Sequence, residues 1–231
     1  MATALGEGSD RGDIAGMTGL DTSTAASSRI ALVRRGTMLG YLTVGYNSLE
    51  AVIALVAGII AGSVALVGFG ADSVIELAAG ATALWRLSRD WDHERREHTE
   101  RIAHRIVGMC FVALAIYVAW ESVEALLGRR SPDASVPGII LAGASLVVMP
   151  LLARAKRRVA LALGSGALVS EARQTALCTY LSAILLGGLG LNALLGWWWA
   201  DPLAGLAMVP LIGYEGWEGL RGRSRCENEC C

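Results

Sequence analysis

The chain has 231 residues, 54% of them hydrophobic and 18% charged, with a net charge of −1 and a mean hydropathy of +0.48. Soluble domains run nearer about 45–50% apolar and about 25% charged. The excess argues against a water-soluble enzyme and equally against a disordered chain. A near-neutral charge gives no support to nucleic-acid binding, which needs a basic surface. The composition is that of a membrane protein.

Residues 1–28 are rich in Gly, Ser, Thr, Ala and Asp, with no charged n-region leading into an apolar core. They do not read as a cleaved signal peptide. Residues 1–35 are expected as a disordered cytoplasmic tail, followed by a six-helix transmembrane domain over 36–220 and a Cys-rich cytoplasmic tail over 221–231. A spanning helix needs roughly 20 mostly apolar residues. Six stretches fit: Thr37–Ala61, Val64–Leu87, Ile106–Leu127, Gly138–Ala153, Leu168–Leu195 and Pro202–Leu220. Only Gly62-Ser63 separates the first two, so they form a tight hairpin. The fourth is short, and Pro150 should kink it or end it early. Asp201-Pro202 reads as an N-cap followed by proline at the first helical position of the sixth.

The fold class expected is therefore all-α, a six-helix membrane bundle. Of the 20 Lys and Arg residues, the loops after the first, third and fifth spans hold only Arg129 and Arg130, and Arg173 lies within a span. The rest lie on the opposite side, so both termini are expected in the cytoplasm.

An ionised side chain at the bilayer centre costs about 2.5–3.5 kcal/mol on insertion scales, so acids within spans need a partner or a function. Asp72 and Glu76 are four residues apart on one face of the second span, with no basic residue in that span before Arg86. A metal ion or a shared proton is the natural counter-charge. Protonation of both, with hydrogen bonds to a neighbouring helix, is the alternative. Glu171, Gln174 and Cys178 fall on one face of the fifth span. Counted inward, Cys178 and Glu76 share a depth of ~15 Å. Two carboxylates and a thiolate at one depth suit a borderline-soft ion, zinc above all. Cys178 also reads as a small buried apolar residue, Gln174 as helix–helix glue, and Glu171 as a solvated acid near the surface. Asn47 and Glu50 in the first span, and Glu121 and Glu124 in the third, complete the intramembrane polar groups. Asn47 reads as interhelical glue or as a pathway residue, Glu50 and Glu121 as members of an ion or proton route, and Glu124 as reaching the external interface beside Arg129.

Three satellite features have simpler readings. His93, His98 and His104 lie among acids and arginines; the spacing excludes HExxH, and a solvated helix extending a span accounts for them, with a metal site at His93, Glu97 and His98 as the alternative. Cys226, Cys230 and Cys231 sit beside two glutamates in CENECC, either as metal-capture thiols or as a neutral tail in a reducing compartment. Cys110 reads as packing. Trp197-Trp198-Trp199 reads as an interfacial anchor.

The stretch NSLEAVIALVAGIIAGSVALVGFGADSVIEL (Asn47–Leu77) resembles the first two helices of cation diffusion facilitator transporters, the cation efflux family. IYVAWESVEALLG is similar to the family's third helix. ASLVVMPLLARAKRRVALALGSGALVSEARQTALCTYLS is similar to its fourth helix, basic loop and fifth helix, and WWWADPLAGLAM to the opening of its sixth. The resemblance implies a homodimer with cytoplasmic termini that exports a divalent metal in exchange for protons. It implies a metal site at Asp72, Glu76, Gln174 and Cys178, where Gln174 and Cys178 stand in place of the family's His and Asp. The family's folded C-terminal cytoplasmic domain is expected to be absent. The function expected is therefore a secondary transporter exporting zinc or a similar ion, not an enzyme and without a prosthetic group, in the lipid of a bacterial inner membrane. A non-transporting metal-sensing or accessory protein on the same scaffold is the rival.

Overall fold

The computed structural model describes residues 12–87, 93–164 and 166–221, and all its regular structure is helical. The six helices are α1 (Gly12–Ala61), α2 (Val64–Leu87), α3 (His93–Leu127), α4 (Val136–Leu163), α5 (Gly166–Leu195) and α6 (Ala200–Arg221). Stretches of α1 to α5 are long and apolar enough to cross a membrane. In α6 the apolar content is diluted by Gly, Pro and the acids Glu215 and Glu218.

Local sequence explains the helix ends. Gly62 adopts φ +66°, a left-handed conformation that is easy for glycine, and the Ser63 amide donates back to the Gly58 carbonyl at 3.0 Å. Ser63 then caps α2 by accepting from the Leu66 amide at 3.1 Å. Ser135 caps α4 by accepting from the Gly138 amide, with Pro137 in the first turn. Gly164, at φ +61°, ends α4 in the left-handed conformation.

The loops after α1, α3 and α5 gather at one end of the bundle. The Asp133 amide donates to the Ala61 carbonyl at 2.9 Å, and Asn192 Nδ2 donates to the Pro132 carbonyl at 3.0 Å. Asp201 does not cap its own helix, as its sequence position had implied. α6 begins one residue earlier, and the Asp201 carboxylate reaches α2 instead, accepting from Ser63 Oγ at 2.5 Å and the Val64 amide at 3.0 Å. The acid ties the start of α6 to the start of α2.

Three other expectations change. Residues 12–35, expected in a tail, are helical and continuous with α1; the stretch has no proline, and extending a nucleated helix is far easier than starting one. α4 runs through Pro150 to Leu163 rather than stopping near Ala153. Proline forfeits one backbone bond, to the Leu146 carbonyl, a loss that helices packed in a membrane bundle tolerate. Cys110 is exposed rather than packed inside. The histidine-containing segment is helical and continues α3 from His93.

α2 is central: it packs on α1, α3, α5 and α6. Its approach to α1 is close enough that a Cβ on Gly58 would lie 2.9 Å from the Val67 amide, and one on Gly70 would lie 2.9 Å from that of Leu55. Gly108 and Gly216 give α3 and α6 the same intimacy, the small-residue contact that lets helices pack in lipid. Phe69, Leu66, Val118, Met149, Leu185 and Met208 are fully buried, while Ile59, Ile60, Trp120, Ile140 and Leu194 cover the outer surface. An apolar core with an apolar exterior is the pattern of a bundle solvated by lipid.

Candidate metal centre

Asp72 and Glu76 stand one turn apart on α2 and face Cys178 on α5. One potential ligand atom from each lies within 4.8 Å of the others, and all three residues are buried. Zinc–oxygen and zinc–sulfur bonds of about 2.0–2.3 Å put neighbouring donors of a tetrahedral site about 3.5 Å apart. The observed trio is therefore within about an ångström of a coordination shell.

A small cavity adjoins the trio. It is lined by Asp72 and Glu76 from α2, Phe111 from α3, Gln174, Leu177, Cys178 and Leu181 from α5, and Leu211, Ile212 and Glu215 from α6. Its free volume of about 10 Å³ is that of a single water-sized sphere. Asp72 is 3% exposed, and its Oδ2 has no hydrogen-bond partner. An unpaired carboxylate oxygen in such a place is costly. A divalent cation between these donors removes that cost, so the donor set fits a metal cargo.

The supporting groups differ in what they touch. Asn47 on α1 is 1% exposed and donates from Nδ2 to Glu76 Oε2 at 2.9 Å, which fixes the carboxylate from behind. Asn47 is thus a positioning residue for Glu76. Glu50 lies outside the trio. Its Oε2 accepts from Ser73 Oγ at 2.9 Å, its Oε1 is bonded to Ser145 Oγ, and Ser145 Oγ is in turn 2.8 Å from the Tyr46 hydroxyl. Glu171 also lies outside the trio, 3.7 Å from the Lys156 ammonium. Gln174 lines the cavity wall. Glu124 pairs with Arg130 at 2.5 Å; Arg129 has φ +47° in the turn after α3, and the chain leaving that turn brings Arg130 back over the acid. Glu121 lies 3.9 Å from the same Arg130. Cys226, Cys230 and Cys231 fall outside the described residues.

Two residues were missed by sequence reasoning. Lys156 was counted with the basic loop after α4, yet it is 3% exposed and donates to Thr175 Oγ1 at 3.2 Å. The buried face of α4 runs Ser145, Met149, Leu152, Lys156 and Val159, so helical periodicity carried past Pro150 would have found it. Glu215 was passed over in the same way, although Met208, Ile212 and Glu215 follow spacings of four and three down α6.

Residues 41–223 match the cation efflux transmembrane domain. The chain belongs to the cation efflux family. It is also similar to an uncharacterized transporter of Synechocystis sp., 28% identical over 155 residues, covering 64% of this chain and 50% of that relative. The chain thus matches about half the length of that relative. Membership makes this cation efflux domain a multi-pass integral membrane protein.

Proposed function

We propose that the protein is a secondary transporter that exports a divalent metal cation, zinc or a similar ion, from the cytoplasm in exchange for protons. The observation that carries this reading is the convergence of Asp72, Glu76 and Cys178 in the middle of the bundle, with one Asp72 oxygen unpaired. Two hard oxygens and one soft sulfur favour zinc or cadmium over magnesium or calcium. Metal binds the deprotonated ligands, so a more acidic far side favours release and a return of protons.

Glu50 supports proton coupling. Its side-chain partners, Ser73 and Ser145, are hydroxyls, and a hydroxyl can donate to a carboxylate or accept from a carboxylic acid. Tyr46 lets Ser145 make the reversal: it donates to Ser145 in one state and accepts from it in the other. The surroundings thus tolerate both the charged and the proton-loaded carboxyl.

The asymmetric distribution of arginine supports cytoplasmic termini. By family analogy the protein works as a homodimer in the bacterial inner membrane, with the cation alternately exposed to each side as helices rock. A metal-sensing or accessory role on the same scaffold is favoured by one feature, the Gln174 and Cys178 that stand where the family carries His and Asp.

Reconstitution decides between them. Vesicles holding a trapped metal-sensitive dye are given a pH gradient and external Zn, Cd, Co, Ni, Mn or Fe. Flux by the wild type, abolished in Asp72→Ala, is the expected result. No flux for any of these metals would remove the transporter reading. Flux unaltered in Asp72→Ala would remove the site.

A further inference from the structure

The metal-binding reading above uses α2 and α5, yet the cavity has a third charged wall. Leu211, Ile212 and Glu215 of α6 line it together with Asp72 and Glu76. Among the described residues, two carboxylate oxygens are both buried and without a hydrogen-bond partner: Asp72 Oδ2 and Glu215 Oε1. They come from different helices and border the same cavity. Two such oxygens beside a space the size of one water molecule repel each other when both are ionised, and a shared proton or a cation relieves that repulsion.

The next acid on α6 behaves differently. Glu218 accepts from the Tyr214 hydroxyl at 2.8 Å and lies 3.8 Å from Arg173 on α5. Arg173 pairs with Glu218 and also acts on Glu215 through space, yet the buried Oε1 of Glu215 has no hydrogen-bond donor. Gln174, the other polar wall of the cavity, offers only a neutral amide oxygen.

The geometry points to Glu215 as a fourth protein ligand of the transported metal, supplied by α6. The inference rests on the metal-binding reading above and adds a donor to it. Four-coordinate zinc needs four donors; the trio offers three, and Glu215 adds a charged oxygen where Gln174 offers only a neutral one. Glu215 stands outside the group held within 4.8 Å, so α6 must move toward α2 and α5 for its carboxylate to join the shell. α6 also contacts α2 directly and is tied to its start through Asp201, so a ligand on α6 makes the packing of these helices respond to the ion.

The test is Co²⁺ titration of the purified full chain in detergent, followed by the visible ligand-field bands and the thiolate charge-transfer band. Wild type, E215Q, E215H, E218Q and D72N are compared, with size-exclusion elution checking the fold of each. E215Q is expected to weaken Co²⁺ binding about tenfold or more, while E218Q binds as the wild type does. E215H keeps a metal ligand at the position, so it is expected to recover binding with shifted ligand-field bands, a change that loss of packing does not produce. Unchanged affinity in E215Q alongside lost binding in D72N would overturn the assignment of Glu215 and leave Asp72 in place. Wild-type bands in E215H would overturn it as well. A wild type that binds no Co²⁺ at all would overturn the metal-binding reading, and this inference with it.

Discussion

Asn47→Leu isolates the contribution of a residue that does not itself touch the metal. The Asn47 amide donates to Glu76 at 2.9 Å in a fully buried position. A hydrogen bond to a charged group is worth about 1.5–3 kcal/mol, and each 1.4 kcal/mol is about a tenfold change in an equilibrium constant. Leucine keeps the branched shape of Asn47 but cannot donate, and its bulkier methyls make an unfolding control necessary. Metal affinity is therefore expected to fall roughly 10- to 100-fold, the range found when second-layer partners of metal ligands are removed. Isothermal titration with Zn²⁺, paired with thermal unfolding in the same detergent, separates affinity from folding. Wild-type affinity in Asn47→Leu would refute the reasoning and return Asn47 to helix–helix glue. Affinity lost in proportion to stability would refute it too, because a positioning role predicts weaker binding in a folded protein.

Three other substitutions probe separate parts of the account. Glu50→Gln leaves the metal trio intact and removes the exchangeable carboxyl, so Zn²⁺ binding should persist while dye-reported flux stops responding to the pH gradient; flux that still tracks the gradient removes Glu50 from proton coupling. Cys178→Ser replaces soft sulfur with a hydroxyl and should lower cadmium affinity by at least about tenfold more than manganese affinity, read by competition titration. Asp201→Ala strips two hydrogen bonds from the start of α2. It should cost about 2–4 kcal/mol of stability, measured by chemical denaturation in micelles, with Asp201→Asn recovering part of the loss.

Much of the fold is legible in the sequence because membrane helices obey a simple rule. The span ends at Ala61, Leu87, Leu127 and Leu195 coincide with the ends of the helices, since turn residues or charges follow each of them. The convergence of Asp72, Glu76 and Cys178 also follows from depth arithmetic, because helices of a fixed rise carry residues of equal depth to one level. Contacts between helices were harder to read. Asp201 carries the local signature of an N-cap, and nothing local reveals that the start of α2 lies beside it. Pro150 was read as a terminator because the rule for soluble helices charges the lost bond in full, whereas a packed membrane helix tolerates it. Stopping α4 there assigned Lys156 to a solvated loop. Glu215 is hidden for a related reason: nothing local in α6 reveals that it lines the same cavity as Asp72.

The claim on which the rest depends is that one metal ion is held by Asp72, Glu76 and Cys178 together. Zinc-edge X-ray absorption on the metal-loaded full chain measures this most directly, because sulfur and oxygen scatter distinguishably at about 2.3 and 2.0 Å. The account predicts a single sulfur among oxygen neighbours, with the sulfur shell lost in Cys178→Ser and the oxygen shell depleted in Asp72→Ala. A shell of oxygen and nitrogen alone in the wild type, or a sulfur shell that survives in Cys178→Ser, would contradict it.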